Sequence, residues 1–244
     1  MINFFKKVDL APLLKVDFHS HILPNLDDGA ANIDDSLRMI QEFLDLGYRK
    51  IITTPHIKKD KYENTPKGIQ DALLSLKAIL KEKEIDVDII ALAEYYCDAG
   101  FLEYIKNDDI LHLNHFVLFE FSYMIPPPNL EEIIYELKVR DYIPVLAHPE
   151  RYSYFHNKLD RYEYLKNLGV YFQVNLNSLA GHYARPAQKT LKYLSKKGFI
   201  DFVGSDAHHQ EHIEILRKVM KSREFTMLFQ ENNILNNIFL EESL

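Results

Sequence analysis

Asp17-Phe18-His19-Ser20-His21 follows the apolar run Leu13-Leu14-Lys15-Val16, and its reading decides that of the whole chain. The run predicts a buried strand with two histidines at its C-terminal end. Residues i and i+2 of an extended chain share a face, so both imidazoles point the same way and can chelate one metal ion. Asp17 shares that face and is a candidate to orient an imidazole by a hydrogen bond. Alone, a His-x-His is compatible with an ordinary strand–loop junction. Repetition is what gives it weight. Residues 50–54 run into Pro55-His56, 87–93 into Glu94, 116–119 into Glu120, 143–147 into His148, and 200–204 into Asp206-Ala207-His208. Six strand-like segments therefore carry imidazole or carboxylate at their C-terminal ends, where parallel α/β barrels place their active sites. A donor set without thiols suits manganese, iron or zinc.

Helical patterns alternate with these strands. Ile33, Leu37, Ile40 and Leu44 form one stripe, closed by Gly47. Thr65-Pro66 opens a second helix, striped by Ile69, Leu73, Leu76 and Leu80. Further helices are expected over 100–106, around Leu130, Ile133, Ile134 and Leu137, over 159–168 and over 187–197. One or two more finish the chain. A strand over 170–175 brings the strands to seven. Repeated right-handed βα units predict a parallel sheet closed into a barrel, with residues 1–244 as one domain. The Pro126-Pro127-Pro128 triplet reads as a rim loop.

Composition narrows the function classes. The chain of 244 residues is 47% hydrophobic and carries a formal charge of -7. That balance argues against nonspecific binding to nucleic acid or acidic membranes. The single cysteine, Cys97, rules out an intramolecular disulfide and fits a reducing compartment. Residues 1–7 lack the apolar core of a secretory signal, and no apolar run is long enough to span a bilayer. The expected location is the cytoplasm, with no stable membrane insertion.

Other residues leave alternatives open. Asp27-Asp28-Gly29 reads either as an Asx turn or as the source of a ligand to an outer metal. Glu94 and Glu120 are carboxylates able to bridge metals, and Asp206 and His208 repeat the alternating spacing. His112, His115, His156 and His182 are expected in surface or core, while His209 and His212 directly follow the last motif. Tyr123, Tyr152 and Tyr154 are expected near the rim, either to hold an aromatic ring or to pack. Cys97 reads as a buried structural cysteine, with no arginine positioned to form a phosphate cradle.

The combined pattern resembles the PHP (polymerase and histidinol phosphatase) superfamily. More narrowly, it resembles the metal-dependent tyrosine-protein phosphatases of bacterial capsule and exopolysaccharide operons, the CpsB/YwqE type. The segments that carry the resemblance are residues 17–24, Asp27-Asp28-Gly29, Thr54-Pro55-His56, Glu94, Phe119-Glu120-Phe121, residues 147–152 and residues 204–208. They span most of the chain and are specific only in combination. The resemblance implies a distorted (β/α)7 TIM-like barrel holding three divalent metal ions, manganese first and iron or zinc as alternatives. One ion would use His19, His21, Glu94 and Asp206. A second would share Glu94 and take Glu120 and His148. A third would use Asp28, chosen over Asp27, with His56 and His208.

The implied chemistry is attack of a metal-activated hydroxide on phosphotyrosine, without a phospho-enzyme. Arg151, Asp206 and His208 would be the catalytic residues, and Arg151 would also bind the phosphate. The implied substrate is a phosphotyrosine-bearing protein, a bacterial tyrosine autokinase controlling capsule synthesis. A homo-oligomer is compatible with this reading. The alternatives are a phosphomonoesterase acting on a small molecule such as histidinol phosphate, and a non-catalytic metal-stabilised interaction module. Two departures from the family stand out. The chain has a 16-residue lead before the first motif, and the loop His209-Gln210-Glu211-His212-Ile213 lacks the second phosphate-binding arginine. Arg185, Lys189, His209 and His212 are the candidates to replace it.

Overall fold

The computed structural model describes residues 14–156 and 158–241. The N-terminal lead, and Leu13 at the expected start of the first strand, lie outside the described residues. The elements, in order, are β1 (Val16–Asp17), α1 (Ile33–Asp45), β2 (Lys50–Thr53), β3 (His56–Ile57), α2 (Pro66–Glu82), β4 (Asp88–Ala91), β5 (Glu94–Tyr96), α3 (Ala99–Lys106), β6 (Phe116–Glu120), α4 (Leu130–Val139), β7 (Ile143–Ala147), α5 (Asp160–Asn167), β8 (Tyr171–Asn175), α6 (Arg185–Lys196), β9 (Phe202–Gly204), α7 (Gln210–Val219) and α8 (Arg223–Glu231). The helix starts follow local chemistry. Asn32 accepts from the Asp35 N–H, and Thr65 accepts from Gly68 N–H with Pro66 in the first turn.

Every named strand pairing is parallel. The strands form a three-stranded sheet, β1-β2-β4, and a six-stranded sheet, β3-β5-β6-β7-β8-β9. The expected strands over 50–54 and 87–93 are β2 and β4, and each is followed by a further short strand, β3 and β5, unlike the sequence expectation. Pro55 explains one interruption: it has no N–H to continue the ladder, so β2 ends and β3 restarts beside β5. A Ser20–Ala207 bridge and the His21 N–H bond to the Ala207 carbonyl join the last strand to the first. Asp17 strengthens that seam, accepting from the Ser205 N–H and hydroxyl at 2.8 Å each. Asp17 therefore latches strand ends together and makes no hydrogen bond to an imidazole, unlike the sequence expectation.

Side chains alternate between two packed layers. Ile51, Ile89, Val117, Leu146 and Val203 pack against the helices. Val16, Ile52, Ile90, Leu118, Val145 and Phe202 fill the space between the strands. Phe239, from a C-terminal 3-10 turn, stacks on Phe18 and Phe202 and meets Phe116 edge-on. The buried Lys50 ammonium donates to the Phe239 carbonyl at 2.7 Å and pairs with Asp88. The N-terminal ends of the strands are covered in this way. The C-terminal end is left for polar chemistry.

Candidate metal centre and active-site cleft

Each ligand candidate arrives on its own strand end, and two glycines let them converge. A Cβ at Gly29 would lie 2.2 Å from the His21 carbonyl oxygen, and one at Gly204 would lie 2.6 Å from the His19 Cβ. Only glycine permits those approaches. His148 and Asp206 turn inward from left-handed backbone, at φ 35° and 49°. Such strain costs roughly 1–2 kcal/mol per residue, and it is held here by the packed barrel mouth.

The converging atoms surround Glu94. Its Oε2 lies 3.3 Å from His19 Nε2, 3.6 Å from His21 Nε2 and 3.1 Å from His56 Nδ1, while Oε1 lies 2.9 Å from His148 Nε2. Asp206 Oδ1 stands 3.5 Å from ring nitrogens of His19, His21 and His208. Glu120 faces His56 at 3.3 Å and His148 at 3.9 Å. Asp28 Oδ1 lies 3.5 Å from both His56 and His208. Five overlapping trios have one donor atom per residue, all within 4.8 Å of each other: His19-His21-Asp206, His19-Glu94-His148, His56-Glu94-Glu120, His21-His56-His208 and Asp27-Asp28-His56. The nine ligand candidates read from the sequence thus meet in one cluster.

The tautomers show what the cluster is built to hold. Asp206 Oδ2 accepts from Asn175 Nδ2 at 2.6 Å, which directs Asn175 Oδ1 toward Gln173 Nε2 at 3.1 Å. Gln173 Oε1 is then left to accept from His19 Nδ1 at 2.8 Å. His21 Nδ1 donates to Asp27 Oδ2 at 2.7 Å. In the neutral rings both Nε2 atoms are therefore lone pairs, yet they face each other at 3.2 Å. Two facing lone pairs need a cation or a proton between them. His56 Nδ1 and Glu94 Oε2 are buried and face each other at 3.1 Å without forming an aligned hydrogen bond. The donor set and these orphaned atoms fit divalent metal ions.

Charges respond as an ion-free cluster must. Burial disfavours an imidazolium at His19, but Glu94 and Asp206 outweigh it and raise the pKa to about 9. Burial likewise opposes ionisation of Glu94 and Asp206, but the adjoining imidazoles hold both well below the ordinary carboxylate range. Asp27 and Asp28 differ in role: Asp27 is tied to the His21 ring and the His56 N–H, whereas Asp28 is more exposed and faces two ring nitrogens.

The cluster floors a cleft of about 460 Å³. Arg151 enters it from the turn after β7. Its guanidinium lies between the rings of Tyr123 and Tyr183, at 4.3 and 4.1 Å, and donates to Asp206 Oδ2 at 2.8 Å. Asp206 is thereby divided: Oδ2 takes Arg151 and Asn175, leaving Oδ1 to the histidines. Behind Arg151, Glu150 Oε1 accepts from the Asn175 N–H and the Ser178 hydroxyl.

Several placements differ from expectation. Of the three rim tyrosines, Tyr123 lines the cleft, but Tyr152 is fully buried, its hydroxyl donating to the Ala147 carbonyl. Tyr154 packs against Phe155. His209 and His212 line the cleft, whereas Arg185 and Lys189 stand on α6 outside its lining. Cys97 is buried, and burial pushes its thiol pKa well up. Sequence reasoning missed Gln173, Asn175, Tyr62, Tyr96, Tyr183, Lys58 and Lys61. Gln173 and Asn175 did leave a signal: they alternate at the end of the one later strand that delivers amides instead of ligands.

Comparison with known proteins agrees with this architecture. Residues 15–241 match the family described as capsular polysaccharide synthesis, CpsB/CapC. The tyrosine-protein phosphatase YwqE of Bacillus subtilis is 31% identical over 227 residues, covering 89% of each chain. The tyrosine-protein phosphatase CpsB of Streptococcus agalactiae is 29% identical over 243 residues, covering 92% of this chain and all of the relative. A solved structure from work on the metal-dependent tyrosine phosphatases YwqE of Bacillus subtilis and CpsB of Streptococcus pneumoniae superposes with a TM-score of 0.76 at 28% identity, covering 90% of this chain and 96% of that one. The histidinol phosphate phosphatase of Lactococcus lactis shares the fold, with a TM-score of 0.53 at 16% identity over 85% of this chain and 93% of its own.

Proposed function

The chain belongs to the CpsB/CapC family of capsular polysaccharide synthesis proteins, and from that membership we propose that it is a metal-dependent protein-tyrosine phosphatase. The observation that carries the proposal is the joining, in one cleft, of a His/Asp/Glu cluster with paired orphan donors and a guanidinium held between two tyrosine rings. The whole chain, residues 1–244, acts as one catalytic domain. Three ions, manganese first, would be held by His19, His21, Glu94 and Asp206; by Glu94, Glu120 and His148; and by Asp28, His56 and His208. When bound, they acidify a water molecule and neutralise charge on phosphate oxygens.

The chain's own residues do the rest. Gln173 and Asp27 hold the Nδ1 protons of His19 and His21, so both Nε2 atoms stay available as ligands. Arg151 offers a planar fork of donors to the phosphate, with Tyr123 and Tyr183 fixing its plane. Tyrosinate is a fair leaving group, with a pKa near ~10, so no strong general acid is required. Cys97, buried and with its thiol pKa raised, offers no nucleophile near neutral pH. The substrate is a phosphotyrosine protein, a bacterial tyrosine autokinase, and the site of action is the cytoplasm. Among the described residues no helix is long and apolar enough to cross a membrane.

The test is a substrate panel. With manganese, a phosphotyrosine peptide should be turned over about tenfold or more faster in kcat/KM than a phosphoserine peptide or histidinol phosphate at equal concentration. Preference for histidinol phosphate would replace the protein substrate by a small molecule. Arg151→Lys gives a second check. It should keep its metals and fold and lose roughly 100- to 1000-fold in kcat/KM, because lysine cannot reproduce the bidentate contact. Near-wild-type turnover would remove the clamp from the account.

A further inference from the structure

The loop after Asp206 carries no arginine, and Arg185 and Lys189 lie outside the cleft lining. Two other cations do line it. The segment after β3 folds back on itself, with Lys58 bridged to Tyr62 and Asp60 at φ 64° in the turn. Asn64 fastens this hairpin to the metal centre, donating to the Leu26 and His56 carbonyls at 2.8 Å each. Tyr62 stacks on the His56 ring at 5.3 Å and 9°. The Lys61 ammonium lies 4.4 Å from the Tyr62 ring centre, and that of Lys58 lies 3.7 Å from the Tyr96 ring centre.

On a chain of net charge -7, these two cations are held over rings at one cleft mouth, and neither is within salt-bridge distance of a carboxylate among the described residues, although Lys61 feels Asp28 and Glu120 nearby. Their depth indicates which anion they would meet. The ligand atoms and Arg151 lie deep, where the reacting phosphate belongs. Lys61 is exposed and Lys58 only half-buried, so their ammoniums stand at the entrance.

We propose that Lys58 and Lys61 bind an anionic group flanking the phosphotyrosine, a carboxylate or a second phosphate, and so give the enzyme a preference for acidic phosphotyrosine segments. This rests on the phosphatase reading and adds to it the class of peptide sequence recognised.

The experiment uses the metal-loaded full chain and three phosphotyrosine peptides, identical except for neutral, glutamate or phosphoserine flanks. The wild type should favour anionic flanks over neutral ones by about 3- to 30-fold in kcat/KM, as expected for two exposed charge contacts, with most of the change in KM. A Lys58→Gln/Lys61→Gln variant should bring that ratio to about one. A preference for both anionic flanks identifies general anion recognition, and a preference for the phosphoserine peptide alone identifies a second phosphate. Equal wild-type values for all three peptides overturn the inference. So does a ratio that persists in the variant, or a variant that slows all three peptides equally. No turnover of any peptide by the metal-loaded wild type ends the phosphatase reading, and this inference with it.

Discussion

Stripping divalent ions from the protein should take phosphotyrosine hydrolysis to background, and manganese should restore it where calcium does not. The expected loss is roughly 1000-fold or more, because metal ions supply several kcal/mol of transition-state charge stabilisation. Calcium should fail because it prefers oxygen ligands, whereas His19, His21, His56, His148 and His208 bring ring nitrogens to the cluster. Stability should move with activity. At an ion concentration about 100 times Kd, binding adds about 2.7 kcal/mol, or roughly 5–10 °C in Tm for a chain of this size.

The pH dependence has opposite signs in the two states. Without metal ions, Glu94 and Asp206 should outweigh burial and raise the His19 pKa from an ordinary 6.5 to about 9. A raised folded-state pKa favours the fold below the ordinary value, and that contribution is lost as pH rises through about 9. Ion-free protein should therefore lose stability between those values. Metal binding, which displaces the protons, should strengthen over the same range. Calorimetry with and without manganese across that range measures both trends. Full turnover after verified removal of all ions would end the metal-dependent reading.

Glu94→Gln should be the most damaging single conservative change, lowering kcat by about 1000-fold or more through loss of bound ion. Glu94 faces four imidazoles at 2.9 to 3.6 Å, and no other carboxylate in the cluster meets as many. Glutamine keeps its volume but removes the charge and turns an amide donor toward ring nitrogens. The fold should survive, since hydrophobic packing of the strand ring lies below the site. Metal analysis should show at least one ion fewer per chain than wild type. A Glu94→Gln protein with its full metal content and near-normal turnover would remove Glu94 from the shared position.

The protein's strand and helix order was legible from periodicity and turn residues. The ligand candidates were legible as well, because polar residues recur where apolar runs end: His19 and His21, Glu94, Glu120, His148, then Asp206 and His208. Local sequence carries such information because side-chain alternation and capping are set by near neighbours. Contacts between distant segments had no such local sign. Asp17 was expected to orient an imidazole, yet it bonds Ser205 across the strand seam. His19 gets its orientation instead from Gln173, through Asn175 and Asp206. Asp28 was chosen over Asp27 only by resemblance, and no local sign showed that the folded loop would turn Asp27 toward the His21 ring and Asp28 toward His56 and His208. The cations opposite the missing arginine came from a hairpin some 150 residues earlier in the chain. A strand pattern says which side chains share a face. Only the packing of the two parallel sheets sets which atoms from different strands meet at hydrogen-bonding distance, and the candidate metal centre is made of those meetings.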